Sequence, residues 1–238
     1  MKILAFDGTA KAASVAVADD NRVLSCYTVD NGLTQSELLL PMAEDMLRAL
    51  KLSFADIELM ATSVGPGSFT GVRIGVSLIK GLAFGRNIPC VGVSTLEALA
   101  ENLNGLRGII LPCMDARRGQ VYTATFTCDG NELTRITEDR AISLKDLANE
   151  LREYDGKSIY LCGDGYSVAK KALSDEGISL SETPELLILE NAASVAKVAK
   201  RKYDKGEAIS DEALSPIYLR MPQAERERLE REAEKKKG

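Results

Sequence analysis

The chain is 238 residues long with 45% hydrophobic content, enough for one large domain or two small lobes with a sizeable core, and too apolar for disorder of its main body. Its formal charge is −5, and residues 223–238 carry six basic and five acidic side chains, so the remainder stands near −6 and argues against autonomous nucleic-acid binding. The absence of histidine removes the commonest neutral-pH general base and any zinc or iron site built on paired histidines, while magnesium held by carboxylates and substrate phosphates stays open.

Five cysteines, odd in number, widely spaced and without a C-x-x-C pair, read as reduced core residues. No apolar run has signal-peptide or membrane-span form, so a cytoplasmic protein is expected. Residues 2–6 form a short buried strand ending at Asp7-Gly8-Thr9, residues 12–18 alternate as a second strand, and 22–29 form a third after the 19–21 turn. An amphipathic helix follows over 38–50, with Pro41 inside its first turn.

A strand over 57–64 then breaks at Gly65-Pro66-Gly67, where Ser68 or Thr70 can cap the next helix. From Val72 to Phe84 this helix has only Arg73, Ser77 and Lys80 as polar positions, which predicts burial on more than one side. Gly71, Gly75, Gly81 and Gly85 cost helix propensity, so close approach of another backbone is expected there. A strand over 89–93 and a helix over 95–103, with Ser94 and Glu97 spaced as a capping box, complete the first half.

The pattern restarts after Asn104-Gly105. Residues 109–114 form a strand ending at Asp115, 120–128 a second and 132–138 a third, which parallels the opening strand, Asp and turn and marks an internal repeat. A helix over 144–154, a strand over 158–162, the Gly163-Asp164-Gly165 turn, a helix to about residue 176, another over 192–203 and an extended segment over 215–220 follow. The polar tail, 223–237, has helical i,i+4 charge pairs such as Glu227 with Arg231. The expected domains are therefore 1–105 and 106–220, followed by a charged tail over 221–238.

Asp7-Gly8-Thr9 reads either as a phosphate and magnesium cradle or as a polar hairpin tip. The equivalent turn, Asp115-Ala116-Arg117-Arg118-Gly119, puts bulky arginines where a backbone cradle needs small residues; it is a solvated turn or an anion attractor. Gly163-Asp164-Gly165 is a strand-to-helix turn or a nucleotide contact, and Glu37 a first-turn dipole residue or a partner contact.

Three groups of residues carry a family resemblance: Ser63-Val-Gly-Pro-Gly-Ser-Phe-Thr-Gly-Val-Arg-Ile-Gly75 with Lys80-Gly-Leu-Ala83, Ile3-Leu-Ala-Phe-Asp-Gly-Thr9, and Ser36-Glu37 with Leu39-Leu40-Pro41. Asp115-Ala-Arg-Arg118 with Val121-Tyr122, and Pro216-Ile-Tyr-Leu-Arg220, add to it. Over residues 2–220 the chain resembles the TsaB (YeaZ) family. The resemblance implies an α/β, actin-like ATPase (sugar kinase/actin) fold of two similar lobes, each a mixed sheet with flanking helices. It implies a non-catalytic subunit in the formation of N6-threonylcarbamoyladenosine at position 37 of tRNA, paired with a TsaD-like catalytic paralogue and a TsaE-like ATPase. Alone, such a subunit is expected to form a homodimer; it meets tRNA only through the complex, and no membrane.

No cofactor of its own is implied beyond weak or partner-dependent ATP or ADP with magnesium at Asp7, Gly8 and Thr9, and there is no implied catalytic residue or metal ligand. The implied docking surface lies on the helices at 36–50 and 70–84. Its contacts are Ser36, Glu37, Leu39, Leu40 and Met46 on the first, and Thr70, Gly71, Val72, Arg73, Gly75, Val76 and Ile79 on the second, with Arg73 as the polar anchor. Relatives often carry His where Gln35 stands and Thr or Ser where Gly8 stands. The competing reading is a nucleotide-dependent phosphotransferase of the sugar-kinase type, and a metalloprotease is the third, set against the zero histidine count.

Overall fold

In the computed structural model, residues 1–20 and 22–220 are described; the tail over 221–238 and Asn21 of the first polar turn lie outside them. The first sheet is built from β1 (Lys2–Asp7), β2 (Ala13–Asp19), β3 (Arg22–Val29), β4 (Leu59–Gly65) and β5 (Cys90–Ser94), in the order β3-β2-β1-β4-β5. The three opening strands pair antiparallel, while β1 with β4 and β4 with β5 are parallel. The parallel centre explains why β1 and β4 read as continuous apolar runs: both faces are covered.

Helices α1 (Gln35–Ala49) and α2 (Phe69–Ala83) cover one face, packing Leu39, Met42, Met46, Val72, Val76 and Ile79 onto Leu4, Phe6, Val15 and Val17. Leu39 has no exposed surface, so truncation to alanine costs about 3 kcal/mol. The N-cap of α2 is Ser68, whose hydroxyl accepts from the Gly71 amide at 3.2 Å.

The second sheet repeats the plan. In β6 (Gly108–Asp115), β7 (Gln120–Thr123), β8 (Phe126–Cys128), β9 (Leu133–Arg135), β10 (Arg140–Ser143) and β11 (Ile159–Cys162), the long first strand is central and β11 joins it in parallel. Both β7 and β8 pair with β6 in one unbroken register, from Gly108 with Cys128 to Asp115 with Val121, so they are a single strand interrupted at Ala124 and Thr125. The expected third strand, 132–138, is split for the same reason. Between the pairs Phe126 with Arg135 and Thr123 with Arg140, the outer strand advances five residues while the inner advances three, a bulge that ends β9 and delays β10. Helices α4 (Leu144–Leu151) and α5 (Tyr166–Asp175) cover one face of this sheet, and α3 (Thr95–Asn102) the other. The repeated order, with helices on both faces, is the actin-like ATPase arrangement of two lobes.

Packing corrects the boundary drawn for 106–220. Helix α6 (Ala192–Asp204) crosses back and fills the free face of the first sheet, setting Ala192, Val195, Ala196 and Ala199 against Ile3, Ala5, Leu59 and Val91. Beyond it, Ile209 bridges to Cys90, and the Ile217 amide donates to the Val64 carbonyl at 2.8 Å. The second lobe is thus left at Glu190, where the chain enters the Asn191 cap of α6.

Candidate functional site: the inter-lobe cleft and the exposed face of two helices

The turn after β1 is organised by its own aspartate. Asp7 is buried, its Oδ1 accepting from the Thr9 amide at 2.9 Å and the Thr9 hydroxyl at 2.6 Å, while Oδ2 accepts from Ser63 Oγ at 2.5 Å. Burial pushes this carboxyl above its ordinary range, against the pull of those three donors. The Thr9 carbonyl is bonded by the Ser68 amide at 2.7 Å, and a Cβ at Gly67 would stand 2.5 Å from the same oxygen, so the loop before α2 lies directly on the turn. A Cβ at Gly71 would overlap the Gly8 carbonyl oxygen.

Across a cleft of about 780 Å³ stands the second-lobe turn. The Arg117 amide donates to Asp115 Oδ1 at 2.8 Å, Arg117 Nη1 to Asp115 Oδ2 at 3.0 Å, and the Asp115 amide to Asp164 Oδ1 at 3.0 Å. Arg117 and Arg118 both adopt left-handed backbone, with φ of 64° and 54°. A nucleotide's phosphates and magnesium require free amides and free carboxylates. Here the Thr9 and Arg117 amides bond the aspartate of their own turn, the Asp115 amide bonds Asp164, and the Asp7 and Asp115 carboxylates accept from within the chain, so these particular groups are not free for it. This weighs against the sugar-kinase reading. Among the described residues no group of three or more His, Cys, Asp or Glu is placed so as to hold a metal ion.

Glu190 carried no signal in the sequence. It is 2% exposed, and neither carboxylate oxygen has a hydrogen-bond partner. Burial raises its pKa well above the ordinary 4.5, with the Asp7 and Asp164 charges adding to the rise and the Asp164 and Glu190 amides opposing it only in part. Asp164 is itself raised, first by desolvation and then by the Asp115 charge, against the pull of the hydrogen bond from the Asp115 amide.

The implied docking residues separate into two sets. Leu39, Met46, Gly71, Val72, Gly75, Val76 and Ile79 are buried in this chain's own core and cannot meet a partner, a correction to the surface drawn from the sequence. Gly75 is small because of Thr62: a Cβ there would lie 2.7 Å from Thr62 Oγ1 on β4. Ser36, Glu37, Thr70 and Arg73 are exposed and Leu40 is half-buried. Glu37 is engaged in a capping box, its Oε2 accepting from the Thr34 amide at 2.9 Å and hydroxyl at 2.7 Å. Arg73 donates from Nε to the Tyr218 hydroxyl at 2.7 Å, a bond within the chain where a free anchor was expected.

Burial of α2 on more than one side is not met within this chain. Thr70, Arg73, Ser77 and Gly81 form an open row beside half-buried Ile74, Leu78 and Leu82, with Phe84 79% exposed at the end. Nothing lies within 4 Å of a Cβ at Gly81.

Residues 34–228 match the family model described as TsaD, tRNA N6-adenosine threonylcarbamoyltransferase. The chain is 31% identical to the tRNA threonylcarbamoyladenosine biosynthesis protein TsaB of Escherichia coli (strain K12), over 92% of this chain and 95% of that one. It is 32% identical to the protein of the same description from Bacillus subtilis (strain 168), over 94% and 96%. Among solved structures it is similar to YeaZ from Pseudomonas aeruginosa, with a TM-score of 0.75, 25% identity and coverage of 92% of this chain and 99% of that one.

Proposed function

The chain belongs to the TsaB (YeaZ) family of tRNA threonylcarbamoyladenosine biosynthesis proteins, and from that premise we propose that it is the non-catalytic subunit that docks and positions a TsaD-type catalytic partner. The observation that carries this reading is the outer face of α2. An interior helical glycine is about 1 kcal/mol worse than alanine, and among the described residues no neighbouring atom uses the space at Gly81. Its use lies outside the chain, where another helix can approach closely. Half-buried Ile74, Leu78 and Leu82 and exposed Phe84 supply apolar area beside that row, and Leu40 extends it onto α1.

In this reading the subunit contributes no reacting group. It turns over no nucleotide of its own, a reading supported by the Thr9 and Arg117 amides, each bonded to the aspartate of its own turn. A TsaE-type ATPase joins the assembled pair, and a second copy of the chain takes the same face when the catalytic partner is absent. The setting is the cytoplasm, where tRNA is modified; among the described residues no helix is long and apolar enough to cross a membrane.

The test is a depletion. Removing the protein from cells and weighing tRNA nucleosides by mass spectrometry is expected to lower threonylcarbamoyladenosine, and restoring the chain to return it. An unchanged level overturns the role. Co-migration of the two purified proteins on a sizing column at micromolar concentration tests docking separately.

A further inference from the structure

Residues 215–220 run from one lobe to the other outside any helix or strand, bending at Leu219 and Arg220, and their contacts differ at the two ends. At the first lobe the Ile217 amide bonds the Val64 carbonyl, and a Cβ at Gly65 would overlap the Ile217 carbonyl oxygen, so only glycine permits this approach. Tyr218 stacks on Phe69 with ring centroids 4.7 Å apart and 19° between planes, and its hydroxyl accepts from Arg73. At the second lobe Arg220 donates from Nη1 to the Ala116 carbonyl at 3.0 Å and from Nη2 to the Gln120 side-chain oxygen, with its guanidinium 5.5 Å from the Tyr122 ring centre.

Phe69, Ala116 and Tyr122 also line the cleft, Phe69 on one wall and the other two on the opposite wall. Two residues span at most about 7 Å, so the anchors at Tyr218 and Arg220 lie close together in the chain. The planar fork of arginine suits the two oxygens it grips; lysine has one nitrogen to offer. Helix α3 already joins the lobes by packing on the second sheet and against α6; we infer that residues 215–220 form a second tie, a strap across the cleft that holds its two walls in register, anchored by Tyr218 on the first and Arg220 on the second. Through Arg73 the strap is joined to the exposed row of α2, so a group that draws this guanidinium away from Tyr218 releases one anchor. This follows from the contacts alone and does not rest on the identity of any partner.

Nuclear magnetic resonance of the full-length isotope-labelled chain tests it. Residual dipolar couplings of the two sheets report their relative orientation, and amide exchange at Ile217 reports the strap. In the wild type both sheets are expected to fit one alignment tensor. In Arg220→Ala they should require different tensors, with Ile217 exchange faster by about tenfold or more and amides of β1 unchanged. One shared tensor with unchanged Ile217 exchange overturns the inference. Arg220→Lys and Tyr218→Phe, each weakening a single anchor, guard against a folding defect. They should speed exchange at Ile217 and leave β1 and β6 as in wild type; equal acceleration everywhere overturns the inference as well.

Discussion

Gly75→Ala and Gly81→Ala each add one methyl group to α2, and they should act in opposite ways. Replacing an interior helical glycine by alanine is worth about 1 kcal/mol. At position 81 no atom lies within 4 Å of the new methyl, so the whole gain should appear in the isolated chain, as a rise of about 2–4 °C in Tm for this size. At position 75 the methyl would sit 2.7 Å from Thr62 Oγ1, a side chain with no exposed surface on a strand held between β1 and β5. Overpacking of that kind costs about 1–3 kcal/mol, which cancels the helix gain or exceeds it by up to about 2 kcal/mol. Association should reverse the order. A methyl between docked helices at Gly81 should weaken the partner complex by about 1–3 kcal/mol, roughly 5- to 150-fold in Kd, whereas Gly75→Ala should leave it intact. Urea denaturation followed by circular dichroism gives the first quantity and sedimentation velocity with the catalytic partner the second. Wild-type affinity in Gly81→Ala would refute the docking face, and stabilisation of Gly75→Ala by the full helix increment would refute the Thr62 constraint.

Other expected outcomes follow from the same contacts. Glu190 has a raised folded-state pKa, so the folded chain holds this proton where the unfolded chain releases it, and stability falls as pH rises from 4.5 toward the folded value. Glu190→Gln should remove that slope and be more stable than wild type at pH 7; parallel pH profiles in thermal melts would contradict this. A Cβ on Gly8 would be 3.0 Å from Gln35 Cγ, so Gly8→Ala should destabilise by about 1–2 kcal/mol and Gln35→Ala should recover most of it, as a positive coupling in a double-mutant cycle. Asp7→Asn keeps an oxygen for Thr9 but disturbs the Ser63 bond; it should lose about 1 kcal/mol of stability and still support threonylcarbamoyladenosine formation in complemented cells. Loss of the modified nucleoside with a stable fold would instead give Asp7 a chemical role.

Local chemistry made much of this fold legible. Apolar runs ending in Asp7 and Asp115 announced the repeated sheet, and Ser68 announced the start of α2, because capping and strand burial depend on near neighbours in the chain. Of the four glycines expected to meet another backbone, Gly71 does so at Gly8 and Gly75 meets the Thr62 side chain, whereas among the described residues nothing approaches Gly81 or Gly85. Sequence spacing gives the face of a helix and not what lies against it; Gly8 comes from the turn after β1 and Thr62 from the strand just before the helix. The two departures from the family pattern, Gly8 and Gln35, proved to touch, and Gln35 Nε2 also donates to the Ala10 carbonyl at 2.7 Å. Glu190 and Tyr218 could not be found this way, since burial without a partner and a bond to Arg73 arise only after both lobes have closed.

The return of α6 to the first sheet also orders events on the ribosome. Ile3, Ala5, Leu59 and Val91 are complete as a sheet face once residue 94 has been made, yet beyond Ala98 of α3 their cover begins only at Ala192. At bacterial elongation speeds of about 5–20 residues per second, those hundred or so residues take roughly 5–20 s. For that interval the nascent chain carries a finished sheet with one largely bare apolar side, a surface suited to holdase chaperones and to mispairing between neighbouring chains on a polysome.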